Sequence, residues 1–180
     1  MSRAAEIVIL AEDQNLRKVI RRYLRKKANY SRHHIRVITA SEASGLTLVQ
    51  TQFPNQVQEL RKTLKRRSAV LIIGADADEE TVEARIQNLD RRLTNENIAS
   101  RDSSEPIIFV IPKRNIETWM YYLAGNQVDE VTDYKPRCNK QVNDVWPANF
   151  VRFINNPLPA DCPDSLRRAC ETELRRIPQA

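Results

Sequence analysis

The chain has 180 residues, 29% charged and 41% apolar, with a net charge of +6 at pH 7. That length supports one sizeable core and is short for two full domains, and no run approaches the ~18 apolar residues of a membrane-spanning helix. Three cysteines (Cys138, Cys162 and Cys170) with no CxxC pair argue against a disulfide framework or a structural zinc site and fit a reducing, cytoplasmic setting.

Residues 5–11, AEIVILA, form an apolar run rich in Ile and Val, as a buried strand requires. The first residues lead straight into it without a separate apolar segment and cleavage site, so no secretory leader is expected. From Asp13 the period changes. Leu16, Val19, Ile20, Tyr23 and Leu24 recur at helical spacing, which predicts an amphipathic helix over 13–27 with Asp13 as N-cap. Residues 34–40, HIRVITA, read as a second strand, 41–53 as a loop around Gly45 ending at Pro54, and 55–67 as a helix carrying Val57, Leu60 and Leu64. Residues 69–75, AVLIIGA, are the most apolar run and predict a central strand. Val82, Ile86, Leu89 and Leu93 mark a third helix, 94–105 a polar loop, and 106–111 a fourth strand ended by Pro112. Ile116, Trp119, Met120 and Leu123 mark a short helix over 115–124. Residues 126–163 hold several prolines and no long period, so loops and short helices are expected there, followed by a final helix over 164–176.

The β-α-β-α-β-α-β-α order predicts an α/β, Rossmann-like fold, a parallel sheet of about four strands flanked by helices. The core is expected over 1–125, with 126–180 as an irregular extension packed on it. In such sheets ligands bind beyond the carboxyl ends of the strands.

The positive charge is concentrated. Residues 1–67 hold fifteen Lys or Arg against five Asp or Glu, and the remainder fourteen against eighteen. One dense run supplies Arg17, Arg21, Arg22, Arg25 and Lys26, and a second supplies Arg61, Lys65 and Arg66. Such clusters attract nucleic acid by displacing its condensed counterions. Few aromatics interleave the first run, so phosphate contact is expected rather than base stacking. Trp119, Tyr121 and Tyr122 fit core or interface. His33 and His34 are adjacent in an extended segment and do not suit a shared metal.

Acidic residues follow the strands. The first strand ends in Glu12-Asp13, the third in Asp76-x-Asp78 and the fourth in Pro112-Lys113, with Glu117 one helical turn on. Carboxylates brought to one edge repel each other, and a hard cation such as Mg²⁺ or Mn²⁺ relieves the cost. Acids in these places also serve as helix caps, and for Asp13 capping is the favoured role.

IVILAE (7–12) followed by LIIGADAD (71–78) resembles the Toprim fold of topoisomerases, DnaG-type primases and OLD-family nucleases, with its Glu after the first strand and its DxD after a later one. IPKRNIETWMYYLAG (111–125) is similar to the IExW stretch of small stand-alone Toprim-like proteins, including the RloB-like group of prokaryotic defence loci. The resemblance implies a metal-dependent nuclease with Glu12 as general acid or base. It implies Asp76, Asp78 and Glu117 as the metal set, Lys113 steadying phosphate charge, and an ATPase partner. The chain departs from the pattern in having Asp13-Gln14 where a Gly often follows the glutamate. It also has no room for a topoisomerase's tyrosine domain, so strand passage by this chain alone is not expected. With no GxxxxGK[ST] loop, ATP hydrolysis by the chain itself is not expected either.

Two other readings stay open. VILAEDQNLRKVIRRYL also resembles the start of a receiver domain, which would make Asp76 a phosphoacceptor and Lys113 its phosphate-contacting lysine. The third is a non-catalytic module binding nucleic acid or protein through its basic helices. A homodimer is compatible with all three.

Overall fold

The apolar runs become four parallel strands: β1 (Glu6–Ala11), β2 (Ile35–Val37), β3 (Ala69–Gly74) and β4 (Ile107–Val110), in the order β2-β1-β3-β4. The computed structural model describes residues 4–39 and 43–180. Ile7 lies opposite Ile35 on one side and Val70 on the other, and Leu71 lies opposite Ile107. Side chains alternate strictly across the sheet. Ile7, Ile9, Val70, Ile72, Ile108 and Val110 enter one apolar layer, while Val8, Leu10, Leu71, Ile73, Ile107 and Phe109 enter the other. Every residue of β3 is buried, which is why its sequence lacks the alternation of a half-exposed strand.

Among the described residues six helices cover the two faces. The first layer is closed by α1 (Gln14–Lys26), α4 (Ile116–Leu123), α5 (Lys140–Asn155) and α6 (Asp164–Arg168), and the second by α2 (Gly45–Leu64) and α3 (Val82–Asn95). The α/β parallel-sheet architecture expected from the alternation of elements is the one observed. Among the described residues no helix is long and apolar enough to cross a membrane.

Four expected elements differ. The second strand is only three residues long, and Arg32–His34 form a 3₁₀ turn before it, so His33 and His34 are not in an extended segment. Residue 40 of that expected strand and residues 41–42 of the following loop lie outside the described residues. The loop expected up to Phe53 is instead the first half of α2, which runs through Pro54. The stripe Val49, Phe53, Val57 and Leu60 keeps helical spacing across the proline, and burial of that stripe outweighs one missing hydrogen bond. Thr51 Oγ1 donates to the Thr47 and Leu48 carbonyls in the adjoining turn.

The same misreading recurs at Pro147. The segment expected to be irregular holds α5, whose Val142, Trp146, Phe150 and Ile154 sit four residues apart on one buried face. These residues share a single apolar layer with α1, α4 and β1. The final helix ends early. After α6 the chain passes through a π turn at Ala169–Glu173 and a 3₁₀ turn at Leu174–Arg176. There Glu173 Oε2 accepts from Phe109 N at 3.0 Å, and Arg176 donates to the carbonyls of Ile107, Glu105 and Ser103. The open edge of β4 is thus covered by side chains rather than by a fifth strand.

Gly74 ends β3 where α1 crosses most closely. A Cβ there would stand 2.9 Å from Ala11 Cβ and 3.2 Å from Ile20 Cδ1. Gly74→Ala should therefore cost about 1–3 kcal/mol through overpacking, read as a lower urea midpoint with an unchanged slope.

Candidate metal centre and basic groove

The crossovers from β1 and β3 leave the sheet in opposite directions. The chain passes from β1 to α1 on one face and from β3 to α3 on the other. This reversal opens a crevice at the carboxyl ends of the two central strands, the usual ligand position in open α/β sheets. Glu12 follows β1 directly and its N–H continues the ladder onto the Gly74 carbonyl at 3.0 Å. Residues 75–78 continue β3 alongside the segment after β4. Ala75 N donates to Val110 O, Ala77 N to Pro112 O and Asp78 N to Arg114 O.

Among the described residues, Glu12, Asp13 and Asp76 each place a carboxylate oxygen within 4.8 Å of the others. Glu117, on the first turn of α4, adds a fourth negative group whose charge acts on Asp76. All four carboxylates are anchored in the same manner. Glu12 Oε2 accepts from Asp76 N at 3.1 Å, and Asp13 Oδ1 from Leu16 N at 2.8 Å. Asp76 Oδ1 accepts from Ile116 N at 3.0 Å, and Glu117 Oε1 from Asn15 Nδ2 at 2.9 Å. None of the second oxygens has a hydrogen bond among the described residues. Asp76 is 1% exposed and Glu117 8%, and Asp76 Oδ2 and Glu117 Oε2 are buried without any partner. No ion pair among the described residues involves any of the four.

Two of these acids, Asp76 and Glu12, hold their protons more tightly than free carboxyls do. Burial, and then the negative charges of Glu12, Asp13 and Glu117, push Asp76 up to about 9. Burial pushes Glu12 up to about 7; the Asp76 N–H opposes this, while Asp13 and Asp78 add to it. Orphaned buried oxygens and proton-retaining acids fit the oxygen-donor set of Mg²⁺ or Mn²⁺, which takes carboxylates and keeps part of its water shell.

The expected site residues divide. Glu12 and Asp76 come together, Asp13 joins them while also capping α1, and Glu117 lies outside that trio but close enough for its charge to act on Asp76. Asp78 stands outside the group of oxygens. It adopts a left-handed conformation, φ 55°, which breaks the alternation that would have aligned it with Asp76. Its carboxylate lies 3.2 Å from Arg85 Nη2. Asp78 does not cap α3 either, because Thr81 does. Lys113 Nζ donates to the Glu80 carbonyl rather than reaching the carboxylates, and its backbone N–H donates to Ser165 Oγ at 3.1 Å.

The basic residues divide as well. Lys18, Arg21, Arg22, Arg25 and Lys26 line a groove of about 590 Å³ between α1 and α5, and Asn15 at its upper end also bonds Glu117. Arg17 instead turns back to the Ala11 carbonyl, at 3.3 and 3.4 Å. Arg61 is consumed by Glu105 and by the carbonyls of Ala99 and Ser100, pinning the 94–105 loop. Lys65 and Arg66 lie just before β3, at the amino ends of the strands, so they are separated from the carboxylates by the length of β3, ~20 Å. They cannot hold a phosphate that the carboxylates reach.

Four contributors were missed in the sequence. Asn15 is one of several polar residues on α1 and carries no signal by itself. Arg85 was findable: it falls on the apolar stripe of Val82, Ile86 and Leu89, where a charge needs a partner, and it is 5% exposed. Trp146 and Asn143 form the opposite wall of the groove, hidden by the misreading of α5.

The raised acids set the pH response of the metal-free chain. A folded-state value above the unfolded one means stability present at low pH is lost as pH rises from ~4, the unfolded carboxyl range, through about 7 for Glu12 and about 9 for Asp76. The urea midpoint in a chelator should fall between pH 5 and pH 9 by this linkage. Asp76→Asn, whose amide oxygen can still accept from Ile116 N, should fall less. No protein-family model, curated protein or solved structure matches the chain.

Proposed function

We propose that the chain is a Toprim-like, divalent-cation-dependent nuclease acting on phosphodiester bonds of nucleic acid. The observation that carries this reading is the set of four carboxylates, each fixed through one oxygen with the other unengaged, at the end of an unpaired basic groove. Asp13 and Asp76 would hold the ion with part of its water shell, backed by the charge of Glu117. When bound, Mg²⁺ or Mn²⁺ polarises a phosphoryl oxygen and makes a metal-bound water more acidic. Glu12 is suited to proton transfer at Oε1, since Oε2 is held by the Asp76 N–H and the ion-free acid titrates near 7. Asn15 fixes Glu117 and touches the groove, so it would align a bound phosphate with the acids. Three free cysteines suit a reducing cytoplasm, and an ATPase partner follows from the same family resemblance.

One observation favours a second reading. Glu12, Asp13 and Asp76 are also the three acids that a receiver-like phosphoacceptor needs, and the 2-1-3-4 strand order matches the core of that doubly wound arrangement. The deep burial of Asp76 and the engagement of Lys113 on Glu80 disfavour it. Acetyl phosphate separates the two readings: a stable acyl-phosphate on Asp76 would replace the nuclease reading.

Titrating Mn²⁺ by calorimetry in two buffers of different ionisation enthalpy should show cation uptake with proton release near pH 7.5. Asp76→Asn should lose cation binding and cleavage together. Glu12→Gln should keep cation affinity within about tenfold and lose at least ~100-fold in turnover, the usual scale of a lost general acid or base. Asp78→Asn should keep cation binding. Full cleavage by Asp76→Asn would reject the site.

A further inference from the structure

We infer that Lys135, carried over the amino end of α4 by its own turn, is the cation that meets the substrate phosphate at the carboxylate centre; this rests on the nuclease reading of that edge. A phosphodiester is itself an anion. Four ionised carboxylates outweigh one divalent ion, so a phosphate approaching the filled centre is repelled unless a further cation stands beside it. The nearby basic residues that the sequence offers are spent on other contacts. Lys113 Nζ is turned to the Glu80 carbonyl and Arg17 to the Ala11 carbonyl. Arg85 holds the Ala77 carbonyl and Asp78, and Arg114 lies toward Glu79, with Nη1 3.8 Å from that carboxylate. Lys18 Nζ donates to Asn15 Oδ1 at 3.3 Å.

Lys135 is placed differently. Lys135–Arg137 form a 3₁₀ turn, and the segment around it is pinned to α4 at three points. Asp133 Oδ1 accepts from Lys135 N at 2.9 Å and from Asn115 Nδ2 at 2.8 Å. Asn115 in turn caps α4, accepting from Thr118 N at 3.2 Å, and it directly precedes the Ile116 N–H that holds Asp76. Cys138 Sγ donates to the Glu117 carbonyl at 3.5 Å. Tyr134 is 3% exposed and stacks on Tyr121, with ring centroids 5.1 Å apart. The backbone of Lys135 is thus keyed, through one carboxylate oxygen, to the helix end that fixes Asp76.

Its side chain is exposed and makes no hydrogen bond or ion pair among the described residues, and its charge acts on Asp76 as well as on Asp133. A flexible four-carbon stem ending in three donors can follow a phosphate oxygen seated on the ion. Lys135 therefore takes the part that the family resemblance gave to Lys113. The placement carries a signature that a structural lysine would lack. A positive group beside the acids opposes uptake of a metal cation and favours uptake of an anion, so removing it moves the two affinities in opposite directions.

The test is calorimetric binding of Mn²⁺, and then of thymidine bisphosphate to the Mn²⁺-loaded chain, in wild type, Lys135→Met and Lys113→Met. Lys135→Met should weaken the bisphosphate by about tenfold or more, the scale of a lost hydrogen bond to a charged group, while binding Mn²⁺ as tightly as wild type or more tightly. Lys113→Met should change bisphosphate binding by less than about threefold. A second measurement needs no variant. Acylation of lysines by an amine-reactive ester, read by mass spectrometry, should slow at Lys135 by about fivefold or more when the bisphosphate is added, with Lys65 and Lys140 unchanged. Unaltered bisphosphate binding by Lys135→Met, or Mn²⁺ uptake with no bisphosphate binding by wild type, would overturn the role of Lys135 and leave the ion site standing. If wild type takes up no Mn²⁺ the nuclease reading goes. Protection of Lys135 by the bisphosphate in EDTA would then keep the phosphate contact, and its absence would end both.

Discussion

The reversal of direction between the crossovers that follow β1 and β3 is the constraint on which the rest depends. It makes the carboxyl edge of the two central strands the one place where two loops separate and leave a crevice. Glu12 is the first residue past β1 and Asp76 the second past β3. Their positions are set by ladder hydrogen bonds, Glu12 N to Gly74 O and Ala75 N to Val110 O, rather than by flexible turns. Like charges in such a place raise each other's proton affinity. Backbone donors then hold each group in position at the cost of electrostatic strain in the ion-free chain.

The amino end of α4 completes the arrangement. Its first N–H is spent on Asp76, so the helix's positive end faces the most buried acid. That single donor accounts for one oxygen of Asp76 and leaves the other bare. Arg85 performs a different task. It reaches the Ala77 carbonyl and the Asp78 carboxylate, bracing the loop that presents Asp76 while contributing little countercharge to the group itself.

Much of this was legible before the fold. Continuous apolar runs marked β1, β3 and β4 because both faces of each strand are covered, and the change of period at Asp13 marked α1. The clustering of Glu12 with Asp76 followed from placing strand ends at one edge. What failed was local. Pro54 and Pro147 read as breaks, yet each lies inside a helix whose buried stripe runs past it. Asp78 read as a partner of Asp76 because the DxD of the fold it resembles holds a metal, and nothing in the sequence announced its left-handed turn. The second basic run seemed to belong with the first because chain order does not say which end of a strand a residue precedes.

The covering of β4 by the C-terminal turns has a consequence for how the molecule fails. Glu173 and Arg176 occupy main-chain groups that would otherwise sit bare along the rim of the sheet. Clipping residues 173–180 takes Leu174 and Ile177 out of the apolar interior and uncovers a hydrogen-bonding template on a strand rich in Ile, Phe and Val. A nicked molecule would then recruit a second copy edge to edge, turning a trimmed tail into a seed for self-assembly.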